Sequence, residues 1–359
     1  MSYKKVNHKI IDSHLHIFEL TDKNGNLFMD GFDEYMGKMG VDTVNIASLP
    51  AGKDRDASNN IIVAFYKLAH ERAYAHGGLV YPQYPAPVEM PEGMDFVTQY
   101  RELMEIGFDG IKMLEGKPTL HKRVGRDLSD SGYDKFFAEM EKDGTHLMFH
   151  VNDPEEFWDA EKAEQWVKDA GWFYGNGDYA SNEEVYRQME RILEKHPNLC
   201  VNFAHLFFYS KNPGKLVEMF EKYPNAGVDI TPGGEMYVAF DENIEYYKSF
   251  FEKYSDRIQF GTDTAFPHGT ESYCWLTDRV YRYIATDEQF KGFADRIHTG
   301  MKLSEGALEN ILYKNFQRTV GESPKKINKE ALKKYIDKYK HLIPEQKLEI
   351  INALSKKYL

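Results

Sequence analysis

The sequence predicts a (β/α)8 barrel of the TIM type, followed by a C-terminal helical extension. Three observations predict it. Eight short apolar runs recur along the chain, and helical patterns separate them. The runs hardly alternate between apolar and polar residues, as befits strands covered on both faces. No glycine-rich phosphate loop follows the first run, which weighs against an open doubly wound sheet. The length of 359 residues suits a barrel over residues 1–302 with a helical extension over 303–359.

The strands are expected near Lys9–Ile17, Asp42–Ser48, Gly78–Pro82, Gly110–Leu114, His146–Val151, Cys200–His205, Gly227–Thr231 and Ile258–Gly261. Helices are expected at Ser58–Arg72, Met94–Ile106, Tyr133–Lys142, Asn182–Lys195, Pro213–Lys222 and Ile244–Tyr254. Ser58 and Asn182 read as helix caps, because a short polar side chain can accept a bond from the first turn. Asp241–Asn243 and Ser323–Asn328 read as loops. Beyond Leu303, the segments Ala307–Gln317, Lys329–Leu342 and Pro344–Tyr358 carry Leu and Ile on one side and lysines on the other. Such helices pack on the barrel or on a partner subunit, so a homo-oligomer is an open expectation.

Composition bounds the function. The net charge of -12 argues against a nucleic-acid partner. No apolar run approaches the roughly 18–20 residues of a membrane span. The two cysteines, Cys200 and Cys274, form no metal-spaced or disulfide pattern, and the expected location is the cytoplasm.

The chemistry begins with His14 and His16. In a strand, residues two apart face the same side, so both imidazoles aim at one point. That is half of a transition-metal site. Barrel active sites lie at the C-terminal strand ends, where Lys112, His150, His205 and Asp263 also fall. His150 and Asp263 read as further ligands because they match the pair. His205 reads as a ligand, a general acid or base, or a hydrogen-bond donor to substrate. Lys112 reads as a cation for an anionic substrate, a core lysine paired with a carboxylate such as Glu115, or a carboxylated bridge between two metals. His70, His76, His196 and His298 read as solvated or structural.

The order His-x-His, then His, His and Asp at the ends of strands five, six and eight resembles the amidohydrolase superfamily. Supporting phrases are Asp12-Ser13-His14-Leu15-His16, Gly107–Lys112, Phe260–Asp263 and Glu309–Phe316. The resemblance covers roughly residues 8–318 and is closer to the branch of amidohydrolase-related hydrolases and metal-dependent decarboxylases of aromatic and muconate-type acids. It implies one divalent metal, zinc with manganese as the alternative, held by His14, His16, His150 and Asp263. It implies a catalytic or substrate-polarising role for His205. A binuclear centre with carboxylated Lys112 is the lesser expectation. Such a centre leaves room for a water whose pKa falls toward roughly 7, with Asp263 as ligand and proton shuttle.

The loops speak to the substrate. Arg55, Lys117, His121, Lys122, Arg123 and Arg126 follow strands two and four, which suggests a small anionic substrate bound by Lys112, Arg55 and Arg123. The loop Asn152–Asn182 holds three of the four tryptophans and reads as a lid or pocket wall, with a short helix at Ala160–Lys168. The segment Thr231–Tyr237 reads as a tight turn that brings Glu235 and Tyr237 to the pocket. The expected activity is metal-dependent hydrolysis of an ester, lactone or amide. Non-oxidative decarboxylation of an aromatic or unsaturated acid is the alternative, and a non-catalytic scaffold is a third class.

Overall fold

The computed structural model describes residues 3–4, 6–19, 31–52, 56–266 and 269–359. Nine strands line the barrel: β1 Ile11–Ile17, β2 Thr43–Ala47, β3 Ala73–Gly77, β4 Gly110–Gly116, β5 His146–Val151, β6 Val201–Phe203, β7 Ala226–Asp229, β8 Ile258–Gln259 and β9 Thr264–Phe266. All pair in parallel, in the order β8-β7-β6-β5-β4-β3-β2-β1-β9. β8 and β9 are two pieces of one segment. The first pairs with β7 and the second with β1, so an interrupted eighth strand closes the ring. The sequence pattern had ended this strand at Gly261 and missed β9.

The interruption has a physical cause. A Cβ on Gly261 would lie 2.7 Å from Thr231 Cγ2 and 2.9 Å from His14 Cβ, so only glycine fits between β1 and β7 here. The next residue, Thr262, donates to buried Asp12 from its backbone N–H (3.1 Å) and its hydroxyl (2.7 Å). Asp263 N–H then bonds to His14 O at 2.7 Å. These bonds turn the chain so that Asp263 enters the barrel mouth.

The third strand differs from expectation. It is Ala73–Gly77, buried throughout, and not Gly78–Pro82. The preceding helix stops at Ala69, three residues short of the expected Arg72. Gly78 follows the strand, its N–H held by Asn60 Oδ1 at 2.9 Å. His76 is therefore a buried strand residue and not a solvated one. The helix caps also shift by one: Ser181, not Asn182, accepts from Glu184 N–H at 3.2 Å, and Ala57 precedes the helix that begins at Ser58. Asp241 is helical, in Gly234–Glu242.

The C-terminal helices extend the same apolar core. Residues 305–320 run as helix, π-turn and helix beneath β8. Phe260 N–H bonds to Ile311 O at 2.9 Å. Asn315 Nδ2 bonds to Ser255 O at 2.6 Å and Ile258 O at 2.7 Å. Helix Lys329–Tyr339 lays Leu332, Tyr335 and Tyr339 against the helices Ser58–Ala69 and Phe96–Ile106, and Glu345–Tyr358 packs on the first of these. Among the described residues, no helix is long and apolar enough to cross a membrane.

Gly261→Ala should destabilise the protein by about 1–3 kcal/mol, through overpacking against His14 and Thr231. Chemical denaturation reads this; an unchanged midpoint would mean that the strand break tolerates a side chain.

Candidate metal centre

Buried on β1, the His14 and His16 rings meet edge to face with centroids 5.1 Å apart. The orientation of each ring follows from what its Nδ1 touches. His14 Nδ1 faces Asp229 Oδ2 at 2.9 Å, and His16 Nδ1 faces Ala47 O at 2.6 Å. Both partners accept, so each Nδ1 carries a proton and each Nε2 is left to offer a lone pair when the ring is neutral. Those lone pairs converge on Asp263 Oδ1, at 3.6 Å from His14 and 3.1 Å from His16. The three ligand atoms lie within 4.8 Å of one another. Two lone pairs and a carboxylate oxygen cannot hydrogen-bond to each other, but they suit one cation.

Asp229 at the end of β7 organises this geometry. Besides His14, it accepts from His205 N–H at 2.9 Å, Thr231 N–H at 3.1 Å and the Thr231 hydroxyl. Burial would raise its pKa, but the facing His14 and these bonds hold it well below the usual carboxylate range. His14 is pushed down to about 4, first by burial and then by Lys112.

His205 starts a left-handed turn in which His205, Leu206, Phe207 and Phe208 all have φ between 53° and 55°. Each such residue costs about 1–2 kcal/mol. The Asp229 bond, the Phe203–Phe207 stack at 4.0 Å and the Tyr186 hydroxyl on Phe207 O at 2.9 Å hold the turn. His205 Nδ1 faces Thr231 O at 3.2 Å, which leaves Nε2 pointing at Asp263 Oδ2, 3.7 Å away. Asp263 is itself left-handed, at φ 52°.

His150 stands beside His205, ring centroids 5.0 Å apart, but its Nε2 faces Asp153 Oδ1 at 3.2 Å. It does not join the cluster of His14, His16 and Asp263. Burial pushes its pKa down to about 3. Lys112 Nζ lies 2.9 Å from His14 Nε2, and burial lowers its pKa to about 8.

A cavity of about 1020 Å³ opens above these residues, with His150, His205 and Asp263 in its wall. The loop after β5 supplies Phe157, Trp166 and Trp172. Its expected helix forms later, at Gln165–Asp169. The loop carries its own apolar cluster around Phe157, Val167 and Tyr174. Tyr174 donates to Asp153 Oδ2 at 2.6 Å, and Lys117 reaches both Asp153 oxygens at 2.7 Å.

The other expected substrate residues divide. Glu235 lines the cavity, and burial raises its pKa. Tyr237 does not line it: it lies in a helix rather than a turn, buried, with its hydroxyl on Ile230 O at 3.0 Å. Arg123 stacks on Tyr84 at 4.0 Å and donates to Gly52 O at 3.2 Å, away from the cavity wall. Lys122 pairs with Asp178, and Arg126 with Asp130, so the basic loop serves mainly to hold itself. Arg55 lies outside the described residues. Sequence reasoning passed over Asp229, Asp153 and Arg296, the last a cavity-wall cation with no ion pair among the described residues. For Asp229 the signal was present: one carboxylate in the apolar run Val228–Ile230.

A family model described as amidohydrolase matches residues 11–321. The chain belongs to the amidohydrolase family. Solved structures share its fold. An uncharacterized TIM-barrel protein from Bordetella bronchiseptica is 14% identical, with a TM-score of 0.56 over 87% of this chain and 98% of that one. 2,6-Dihydroxybenzoate decarboxylase from Rhizobium is 12% identical (TM-score 0.52, 87% and 98% covered). 4-Oxalomesaconate hydratase from Rhodopseudomonas palustris is 15% identical (TM-score 0.52, 87% and 95% covered). No curated protein matches the chain.

Two outcomes are expected of this amidohydrolase centre. Asp229→Asn should weaken divalent-metal binding by about 10–100-fold, measured by competition with a chromogenic chelator. In chelator-treated protein, stability should fall as pH drops from 6.5 toward 3–4. His14 and His150 have folded pKa values below the ordinary one, so the unfolded chain takes up protons first. Their contribution is complete above pH 6.5 and declines below it. A flat profile of unfolding free energy across that window would contradict their buried, neutral state.

Proposed function

We propose that this amidohydrolase-family chain is a metal-dependent hydrolase of an ester, lactone or amide in a carboxylate-bearing molecule. The observation that carries the reading is the convergence of His14 Nε2 and His16 Nε2 on Asp263 Oδ1, with both Nδ1 protons committed elsewhere. Zinc suits two imidazoles and a carboxylate, and manganese is the second choice. When bound there, the ion supplies a positive charge that acidifies water and polarises a carbonyl.

The chain's own residues do the rest. Asp263 offers one oxygen to the two imidazoles and turns the other toward His205. That second oxygen can take a proton from the attacking water and return it to the leaving group. His205, with Nδ1 on Thr231 O, turns its Nε2 toward Asp263 Oδ2. Lys112 Nζ rests against the His14 lone pair that a metal ion would take. Lys112 is the cation that would pair with a substrate carboxylate when His14 serves as a ligand. Arg296 in the cavity wall adds positive charge.

Decarboxylation of an aromatic or unsaturated acid is the second reading, and Glu235 favours it. Its carboxyl lines the cavity, burial favours the protonated form, and no side chain pairs with it among the described residues. Protonation at carbon needs such a donor. The Rhizobium fold relative is a decarboxylase.

Metal analysis of untagged protein, with a screen of lactones, esters, amides and aromatic acids, tests both readings. The hydrolase releases an acid without carbon dioxide; the decarboxylase releases carbon dioxide. His16→Ala should lose both metal and activity, and full activity in that variant would overturn the metal reading. Arg296→Gln should raise KM for an anionic substrate roughly tenfold at nearly unchanged kcat, consistent with loss of one charge-assisted contact.

A further inference from the structure

At the N-terminal ends of the strands, away from the metal centre, the barrel holds a second polar cluster. Its proton positions follow from one carbonyl. Ser13 O accepts from Asn45 Nδ2 at 2.8 Å, which turns Asn45 Oδ1 toward His76 Nδ1 at 2.7 Å. His76 Nδ1 therefore carries the proton. Burial keeps His76 neutral, so its Nε2 is a lone pair. That lone pair faces His146 Nδ1 at 2.8 Å, and so Nδ1 must carry the His146 proton. His146 is also held neutral, its pKa pushed down to about 4 by burial, which leaves Nε2 as a bare acceptor. Gly110 makes room for the pair, since a Cβ there would lie 2.4 Å from His76 Nε2.

Two amides are fixed in the same way. Gln259 gives its Nε2 to the Thr319 hydroxyl at 3.3 Å. Asn315 gives both Nδ2 hydrogens to Ser255 O and Ile258 O. Among the described residues, their oxygens, like His146 Nε2, find no protein donor, and Asn202 finds no protein partner for either its oxygen or its nitrogen. All four side chains are at most 3% exposed, and all line one cavity of about 70 Å³.

We propose that this cavity is a binding site for two water molecules, held as a fixed part of the barrel floor. Two waters bring four hydrogens, one each for His146 Nε2, Gln259 Oε1, Asn315 Oδ1 and Asn202 Oδ1. Their lone pairs take the two hydrogens of Asn202 Nδ2. A water needs at least about 10–15 Å³ of such space, so the cavity has room for both. A cation would satisfy the acceptors but would face the Asn202 hydrogens, and the charged groups in the same wall are Arg257, Arg318 and Asp256, the last paired with Arg257. The waters bridge β5, β6, β8 and the helix Asn315–Val320. Through His146, His76 and Asn45, that bridge reaches Ser13, the neighbour of His14.

The test is a high-resolution crystal structure of the full chain, soaked in rubidium chloride. Two water peaks within about 3.2 Å of the acceptors, without anomalous signal, are expected. A rubidium peak, or direct bonds among the four side chains, overturns the proposal. In solution, nitrogen-15 NMR should show His146 as the Nδ1–H tautomer; the Nε2–H tautomer overturns it. Asn202→Leu should lose both waters and melt a few degrees lower. Retention of both waters in that variant also overturns the proposal. Should the variant fail to fold, the wild-type crystal and NMR results still decide.

Discussion

The buried carboxylate of Asp229 is the group on which the site depends. Taking a charge out of water costs several kcal/mol unless donors surround it. Here one imidazole, two backbone N–H groups and a hydroxyl do so. The same four bonds set the tautomer of His14 and pin the start of the strained His205 turn. A single desolvated anion thus orients groups from β1 and from the segments that follow β6 and β7.

Around this anchor, charge is arranged in two neighbouring sets. One is Asp229, His14, Lys112, His16 and Asp263, the set that suits a cation. The other is His150, Asp153, Lys117 and Tyr174, closed on itself by short hydrogen bonds. Asp153 holds its charge well below the usual carboxylate range against its burial, through Lys117 and His150. Its grip on His150 explains why that imidazole stands apart from the converging pair. The two sets meet where His150 packs on His205.

The barrel was legible because its signals are local. Apolar runs, strand-end histidines and helix periodicity can be counted in a single chain. The sequence also exposed His14, His16 and Asp263, whose ligand atoms the fold brings together. What it hid depends on contacts far apart in the chain. β9 appears only because Asp12 binds Thr262 across 250 residues. The third strand was misplaced because Ala73–Gly77 carries small residues and a histidine, whereas Leu79, Val80 and Tyr81 just beyond it form the more apolar run. Arg123 looked like a substrate cation because the chain does not announce that Tyr84 lies beneath it. Asp229 was passed over because a carboxylate in a strand signals a buried partner only once the partner is known.

The wall over the cavity has a further meaning. Asn152 Nδ2 bonds to Asn182 O at 2.9 Å, so the two ends of the segment meet. Between them lies a separate apolar cluster with its own packing. A segment closed at its base and stabilised from within behaves as a cassette. It can be lengthened, shortened or exchanged around Asp153 and Tyr174, whose bonds tie its base to His150 and Lys117. Changes in this one stretch would alter the wall of the cavity while His14, His16 and Asp263 keep their places.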